Sequence, residues 1–496
     1  MTTSPDSGVL VVGAGVGGLV AAIDLARAGH TVTVLERHTE TGGKMRTFAP
    51  EGRPIDAGPT VVTWVDVFES LFADCGASFH DAVRVETAEI LARHAWPDGA
   101  RFDLFHDLDR ARDAVASLSG VAEADRFLRF HQRCREILAE VRGPFLDRQR
   151  PTPIDAMRIK GLLGSLVTPS KIDALRPMWT ALGDYFHDPR LRQLFGRYAT
   201  YVGGSPFHTA ATLNLIAAVE QEGVWLVEGG MSALAKALTA LAVRQGVTVR
   251  TGAGVDRIEV DRGRVSGVIL DDGSRLSAGV VVCNADAGGL PAGLLGASLR
   301  HAVEPVIERS LSAMTWCIDA PTTGFPLLRH TVFFSGDYPS EFEELRQRRL
   351  PSDPTVYVCS QDRGSVDRDV QGPDRMLILV NAPAGADLTP QELDRCEQAT
   401  FHRITAAGLS ISRTGREVRT TPRDFAARFP GSLGALYGAA PHGWSAPFKR
   451  PGATTRIPGL YLAGGTVHPG AGVPMAAISG RLCARQILED RRSTPR

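Results

Sequence analysis

The chain has 496 residues, 43% hydrophobic and 22% charged, with 55 basic and 55 acidic side chains and a formal net charge of +0. That length exceeds one ordinary core and points to two or three domains of a folded protein. The balanced charge supplies no global field toward nucleic acid, and seven singly scattered cysteines, with no CxxC pair or Cys/His cluster, read as free thiols with no metal site.

The first residues carry no basic stretch followed by an apolar run and a small-residue cleavage site. No uninterrupted apolar stretch is long enough to span a bilayer. The expectation is a cytoplasmic protein that is still free to lie on a membrane. Val9–Val12 is a β-branched run suited to a buried parallel strand. A glycine cluster follows it. Leu19–Ala28 has helical spacing, with Gly29 placed as a C-terminal cap, and Thr31–Leu35 is the next strand. Ile90–Ala95 and Arg101–Phe105 flank Pro97-Asp98-Gly99 and predict a hairpin. From Leu108 to about Tyr201 the pattern is mostly helical. A second Rossmann-like piece is expected from Trp225, with a helix over Ala233–Gln245 and a strand over Val247–Val249. The hairpin Val255–Val260 with Val265–Leu270 leads to the strand Gly279–Cys283. Strands are expected at Thr331–Ser335, Thr355–Ser360 and Met376–Val380, and a helix at Gln391–Ala407. The tail, Gly459–Leu488, reads as strand, glycine-rich turn and helix.

These pieces interleave. Residues 1–75, 220–289 and 452–496 are expected to form one discontinuous nucleotide-binding domain. Residues 76–106 and 290–451 would form an α+β substrate domain, and 107–219 a helical subdomain with a candidate membrane contact.

Gly13-Ala14-Gly15-Val16-Gly17-Gly18 satisfies GxGxxG between a strand and a helix. Gly13 suits the tight turn, Gly15 the approach of backbone to a pyrophosphate, and Gly18 close packing of helix on strand. The helix N-terminus offers unpaired N–H groups to phosphate. Glu36 ends the next strand, 36 − 15 = 21 positions on, where a carboxylate binds an adenosine ribose and repels a 2′-phosphate. Arg37 adjoins it. Together these define a dinucleotide site without choosing between NAD and FAD.

Thr41-Gly42-Gly43-Lys44-Met45-Arg46-Thr47 and Asp56-Ala57-Gly58-Pro59-Thr60 resemble the flavin amine oxidase and phytoene desaturase superfamily. So do Gly254-Val255-Asp256, with its backbone contact to adenine at Val255, and Leu460-Tyr461-Leu462-Ala463-Gly464-Gly465-Thr466. The most specific segment is His468-Pro469-Gly470-Ala471-Gly472-Val473-Pro474-Met475. It resembles the C-terminal signature of bacterial carotenoid desaturases of the phytoene desaturase family. Asp56–Thr63, Ala92–Gly99, Tyr437–Trp444 and Ala463–Met475 look most like the 1-hydroxycarotenoid 3,4-desaturases (methoxyneurosporene dehydrogenases) of purple bacteria.

The resemblance implies an α/β fold with a Rossmann-type FAD-binding domain. It also implies FAD as cofactor and an acyclic, 1-hydroxylated carotenoid as substrate. Oxygen or a quinone would reoxidise the flavin, and the protein would lie peripherally on the inner membrane. The implied cofactor set is Gly13, Gly15, Gly17, Gly18, Glu36, Arg37, Gly42, Gly43, Lys44, Gly58, Pro59, Thr60, Val255, Gly464, Gly465, Val473, Pro474 and Met475.

Desaturation removes a hydride and a proton from neighbouring carbons, and the hydride goes to the flavin. No proton acceptor stands out. His468, Asp188 and Arg190 are the weak catalytic candidates. Each has a plainer role open to it: a loop-holding histidine, a helix N-cap and a surface ion pair. Trp64, Tyr198, Tyr201 and His208 are candidates to bind a substrate hydroxyl, or are simply core. Residues 156–179, with Met157, Leu162, Leu163 and Leu166 flanked by Arg158, Lys160, Lys171 and Arg176, read either as an interfacial membrane segment or as an amphipathic helix packed on its own domain. A phytoene-type desaturase, a carotenoid isomerase, an amine oxidase and a flavin-free escort protein are the alternatives on this fold.

Overall fold

The computed structural model describes residues 8–150, 171–367 and 372–493. Val9–Val12 is buried along its whole length, as a strand covered on both faces must be. It is central in a five-stranded parallel sheet, ordered Leu460–Leu462, Val280–Cys283, Val9–Val12, Val32–Leu35, Thr248–Arg250. Pieces from the start, middle and end of the chain therefore share one sheet. Helices Val16–Arg27, Met231–Arg244 and Val473–Ser493 join its core through Leu19, Leu238 and Ile487. The first helix starts earlier than its apolar spacing suggests, because Gly17 and Gly18 lie inside it. They serve packing: a Cβ on Gly18 would strike the Gly13 carbonyl, and one on Gly480 would strike that of Gly17. Gly29, at φ +90°, closes this helix as expected, its N–H donating to the Ala26 carbonyl at 2.9 Å.

Val255–Asp261, Arg264–Leu270 and Arg275–Ser277 form a small antiparallel sheet. A seven-stranded sheet runs Glu417–Thr420, Ser312–Ala320, Asp374–Ala382, Val356–Ser360, His330–Phe333, Ile90–Ala95, Arg101–Phe105. The expected hairpin is its edge, joined in parallel to His330–Phe333. Ser312–Ala320, a long inner strand that sequence reading missed, alternates cleanly. Met314, Trp316 and Ile318 enter a core with Met376, Ile378 and Val380, while Thr315, Leu377, Leu379 and Asn381 face a cavity. Trp225–Val227 pairs antiparallel with Val85–Thr87, outside the five-stranded sheet, and packs on the same core.

Helices Leu108–Ser119, Val121–Val141, Met178–Tyr185, Pro189–Gly196 and Leu215–Glu222 make the helical part. It is cored by Phe127, Phe130, Phe186 and Phe195, with Phe186 and Phe195 stacked 5.0 Å apart. Residues 156–170 of the candidate interfacial segment lie outside the described residues. Of the remainder, Leu175 is 67% exposed and Met178 is buried. Among the described residues no helix is long and apolar enough to cross a membrane.

Candidate functional site

One cavity of about 1450 Å³ is lined by the five-stranded sheet, the seven-stranded sheet and the helical part. It exceeds the roughly 300–1,000 Å³ of an ordinary small-molecule pocket. Trp444 lines it and is 59% exposed, marking a mouth.

One end is walled by backbone. Gly13, Gly15, Gly17, Gly42, Gly43, Gly464 and Gly465 line it. A Cβ on Gly15 would sit 2.7 Å from Asn284 Nδ2, and one on Gly58 would strike the Lys44 carbonyl. Side chains at these positions would close the groove. Glu36 is 4% exposed and accepts the N–H groups of Ala14 at 2.8 Å and His38 at 2.9 Å. Those bonds use about half of the lone pairs of a carboxylate, leaving acceptors for sugar hydroxyls. Val255 and Arg37 line the same end. Gly18 does not, because its role is to seat the helix against the strand.

Three cations lie along this wall. Lys44 Nζ donates to the Leu436 carbonyl at 2.6 Å, and burial lowers its pKa. Arg46 sits among Phe48, Phe425 and Phe429, 5.1 to 5.7 Å from their ring centres, with Nε and Nη2 unpartnered. Burial brings Arg46 down to about 10, and Arg450 likewise to about 10. Arg450 donates to the carbonyls of Gly465 and Tyr437, at 3.1 and 2.8 Å. Among the described residues none of the three has a carboxylate within 4.0 Å. Asp286, in the same lining, is the one carboxylate among the described residues whose charge reaches Lys44 and Arg450, and none reaches Arg46; buried positive charge in excess is costly, so this wall suits an anion such as a diphosphate.

Asp56 explains how Gly58, Pro59 and Thr60 reach the cavity. Its carboxylate caps helix Met231–Arg244, accepting from Met231 N at 2.6 Å and Ser232 N at 3.3 Å. Its backbone is held by Gln361 at 2.9 and 3.0 Å. From the other side Val473, Pro474 and Met475 bring the start of the C-terminal helix to the cavity, presenting its positive dipole end. The remaining wall is largely apolar, including Val61, Phe145, Leu146, Ile172, Leu213, Ile216 and Val219.

The catalytic candidates do not gather here. His468 Nε2 is 2.9 Å from the Phe145 carbonyl and 3.0 Å from that of Arg148, and its ring lies edge-on to Phe145. It tethers the loop, and burial lowers its pKa. Asp188 is the N-cap of helix Pro189–Gly196, accepting from Arg190 N at 2.8 Å, and it pairs with the Arg190 guanidinium at 2.7 Å. None of the three lines the cavity, and the contacts they make are those of a loop tether, a helix N-cap and an ion pair. Trp64 and Tyr201 do line it, whereas Tyr198 and His208 do not. Sequence reading missed Asn284, Arg450, Glu220 and Tyr357, and it included Arg46 in the Thr41–Thr47 segment without giving it a role. Only Asn284 left a signal, since it ends the parallel strand Val280–Cys283, where ligands of such sheets bind.

A parallel sheet whose strand ends meet a glycine cradle defines a dinucleotide-binding oxidoreductase fold, and the chain belongs to the family of flavin containing amine oxidoreductases, whose model matches residues 16–488. Its cofactor is FAD. The chain is 46% identical over 496 aligned positions to the hydroxyneurosporene desaturase of Rubrivivax gelatinosus, covering 98% of this chain and 94% of that protein. It is 45% identical over 494 positions to the hydroxyneurosporene desaturase of Cereibacter sphaeroides, covering 98% and 99%. An oxidoreductase from Methanosarcina mazei has the same fold, with a TM-score of 0.61 at 16% identity, covering 97% of this chain and 100% of that one.

Proposed function

We propose that this chain is a carotenoid desaturase that introduces a C=C bond into an acyclic, 1-hydroxylated carotenoid. The observation that carries the reading is continuity: the glycine-walled end and the apolar channel are one cavity. The identity to two hydroxyneurosporene desaturases along nearly the whole chain supports the substrate class.

Bound FAD supplies the acceptor for the hydride. Gly13, Gly15 and Gly17, with the helix start behind them, would hold the diphosphate, and Gly42 and Gly43, bridged to Gly15, would stand beside them with Lys44. Glu36 and Arg37 would hold the ribose, and Val255 the adenine through its backbone. Gly58, Pro59 and Thr60, with Gly464, Gly465, Val473, Pro474 and Met475, would border the ring. The apolar channel holds the polyene in one orientation and excludes water. The hairpin at 90–105 sharing a sheet with strands from 312–420 supports the expected grouping of 76–106 with 290–451. A hydrocarbon substrate favours work at a membrane surface on the cytoplasmic side, with Trp444 and Leu175 among the exposed apolar groups. Oxygen or a membrane quinone would take the electrons.

Expression in cells that make either hydroxyneurosporene or phytoene tests this, with the pigments analysed by mass and absorption. The hydroxylated carotenoid is expected to lose two hydrogens and absorb at longer wavelength, with phytoene unchanged. Conversion of phytoene alone would replace the substrate assignment. No net loss of hydrogen would point to an isomerase.

A further inference from the structure

Against the largely apolar channel stands a polar cluster around the buried Glu220 that a hydrocarbon does not need. Arg197, Tyr201, Glu220, Tyr357 and Thr60 all line the cavity. Arg197 is sandwiched between the rings of Tyr201 and Tyr357, at 5.1 and 5.4 Å, and donates to the Tyr201 oxygen at 3.1 Å. The Tyr201 hydroxyl donates to Glu220 Oε1 at 2.9 Å, and Tyr198 donates to Oε2 from behind. The Tyr357 oxygen lies 2.7 Å from Thr60 Oγ1 and 2.7 Å from His330 Nδ1.

We propose that the Arg197–Tyr201–Glu220 cluster, with Tyr357 beside it, docks the hydroxyl of the carotenoid and thereby sets which bond is oxidised. The proposal rests on the desaturase reading above. Burying an arginine and a glutamate against a hydrocarbon channel is costly unless their hydrogen-bonding capacity is met. Arg197 uses one of its five donors on protein among the described residues. A hydrocarbon chain end would leave the others facing apolar carbon, whereas a hydroxyl both donates and accepts. The Tyr357–Thr60 contact ties the cluster to the segment Gly58–Thr60 that borders the cofactor. A hydroxyl docked there places the bond to be oxidised only a few carbons away. The remaining polyene then runs down the channel past Phe145, Leu146, Leu213 and Ile216.

The test compares purified, flavin-loaded enzyme on a hydroxylated acyclic carotenoid and on the same carotenoid without the hydroxyl, both in liposomes. A site built around a hydroxyl rejects the analogue lacking it by on the order of 10⁴. Tyr201→Phe and Arg197→Met are each expected to lower that kcat/KM ratio by about 10- to 100-fold, one lost hydrogen bond apiece, with flavin content retained. Tyr198→Phe, which meets the same carboxylate from outside the cavity lining, is expected to lower both substrates equally. If Tyr201→Phe and Arg197→Met also lower both equally, the cluster is structural and the inference falls. Wild-type enzyme converting both substrates alike overturns the inference alone, and wild-type enzyme converting neither overturns the desaturase reading beneath it.

Discussion

Gly17 and Gly464 meet backbone to backbone: a Cβ on Gly17 would lie 2.6 Å from the Gly464 nitrogen and 2.7 Å from its Cα. The N-terminal helix start and the C-terminal return thus form one wall, and neither is complete without the other. Gly464 is fixed in turn by Ser479, whose Oγ accepts its N–H at 3.1 Å.

Gly17→Ala is therefore expected to prise the two segments apart. Overpacking of this kind costs about 1–3 kcal/mol, and the shift falls on the phosphate-facing backbone, so FAD affinity should drop by about 5- to 150-fold. The ratio of flavin to protein absorbance in purified protein measures it. Wild-type flavin content in this variant would show that the wall can yield.

Asp188 and Arg190 should matter to stability and not to turnover. Asp188→Ala removes an N-cap and a bond from Ser119, a loss of about 0.5–2 kcal/mol. Arg190→Ala removes a partly exposed ion pair worth about 0–1 kcal/mol. Denaturant unfolding reads both changes. Turnover per bound flavin should stay within about twofold of wild type, and a hundredfold fall would place one of them in the chemistry after all.

The response to acid should separate two buried groups. Burial holds His94 at about 3, against an ordinary value of 6.5. Between those values the unfolded chain binds a proton that the folded chain refuses, so stability falls as pH drops, by up to about 1.4 kcal/mol per pH unit. Burial holds Glu341 at about 7 against 4.5. In that interval the folded chain binds the extra proton, and stability rises as pH drops. His94→Gln should flatten the acid loss relative to wild type, and Glu341→Gln should steepen it. Unfolding free energies measured from pH 7 to pH 4 give the slopes. Unchanged slopes would refute both assignments.

The nucleotide end was legible because its requirements are local. A turn with positive φ, a helix start beside it and an acid at the next strand end follow one another within a short stretch, and the residue types answer steric and electrostatic needs of the backbone itself. The loop from His468 to Met475 was legible for the same reason. The sequence by itself therefore determined the dinucleotide cradle, the helix and strand types around it and the family resemblance. Tertiary structure alone decided that Ser312–Ala320 lies inside a sheet, that Asn284 and Arg46 wall the cradle, that His468 is a tether and Asp188 a cap, and that Arg197, Glu220 and Tyr357 meet. These residues are far apart along the chain and share no periodicity. Their roles come from what distant segments bring against them: a ring, a carbonyl or a carboxylate that no local spacing encodes.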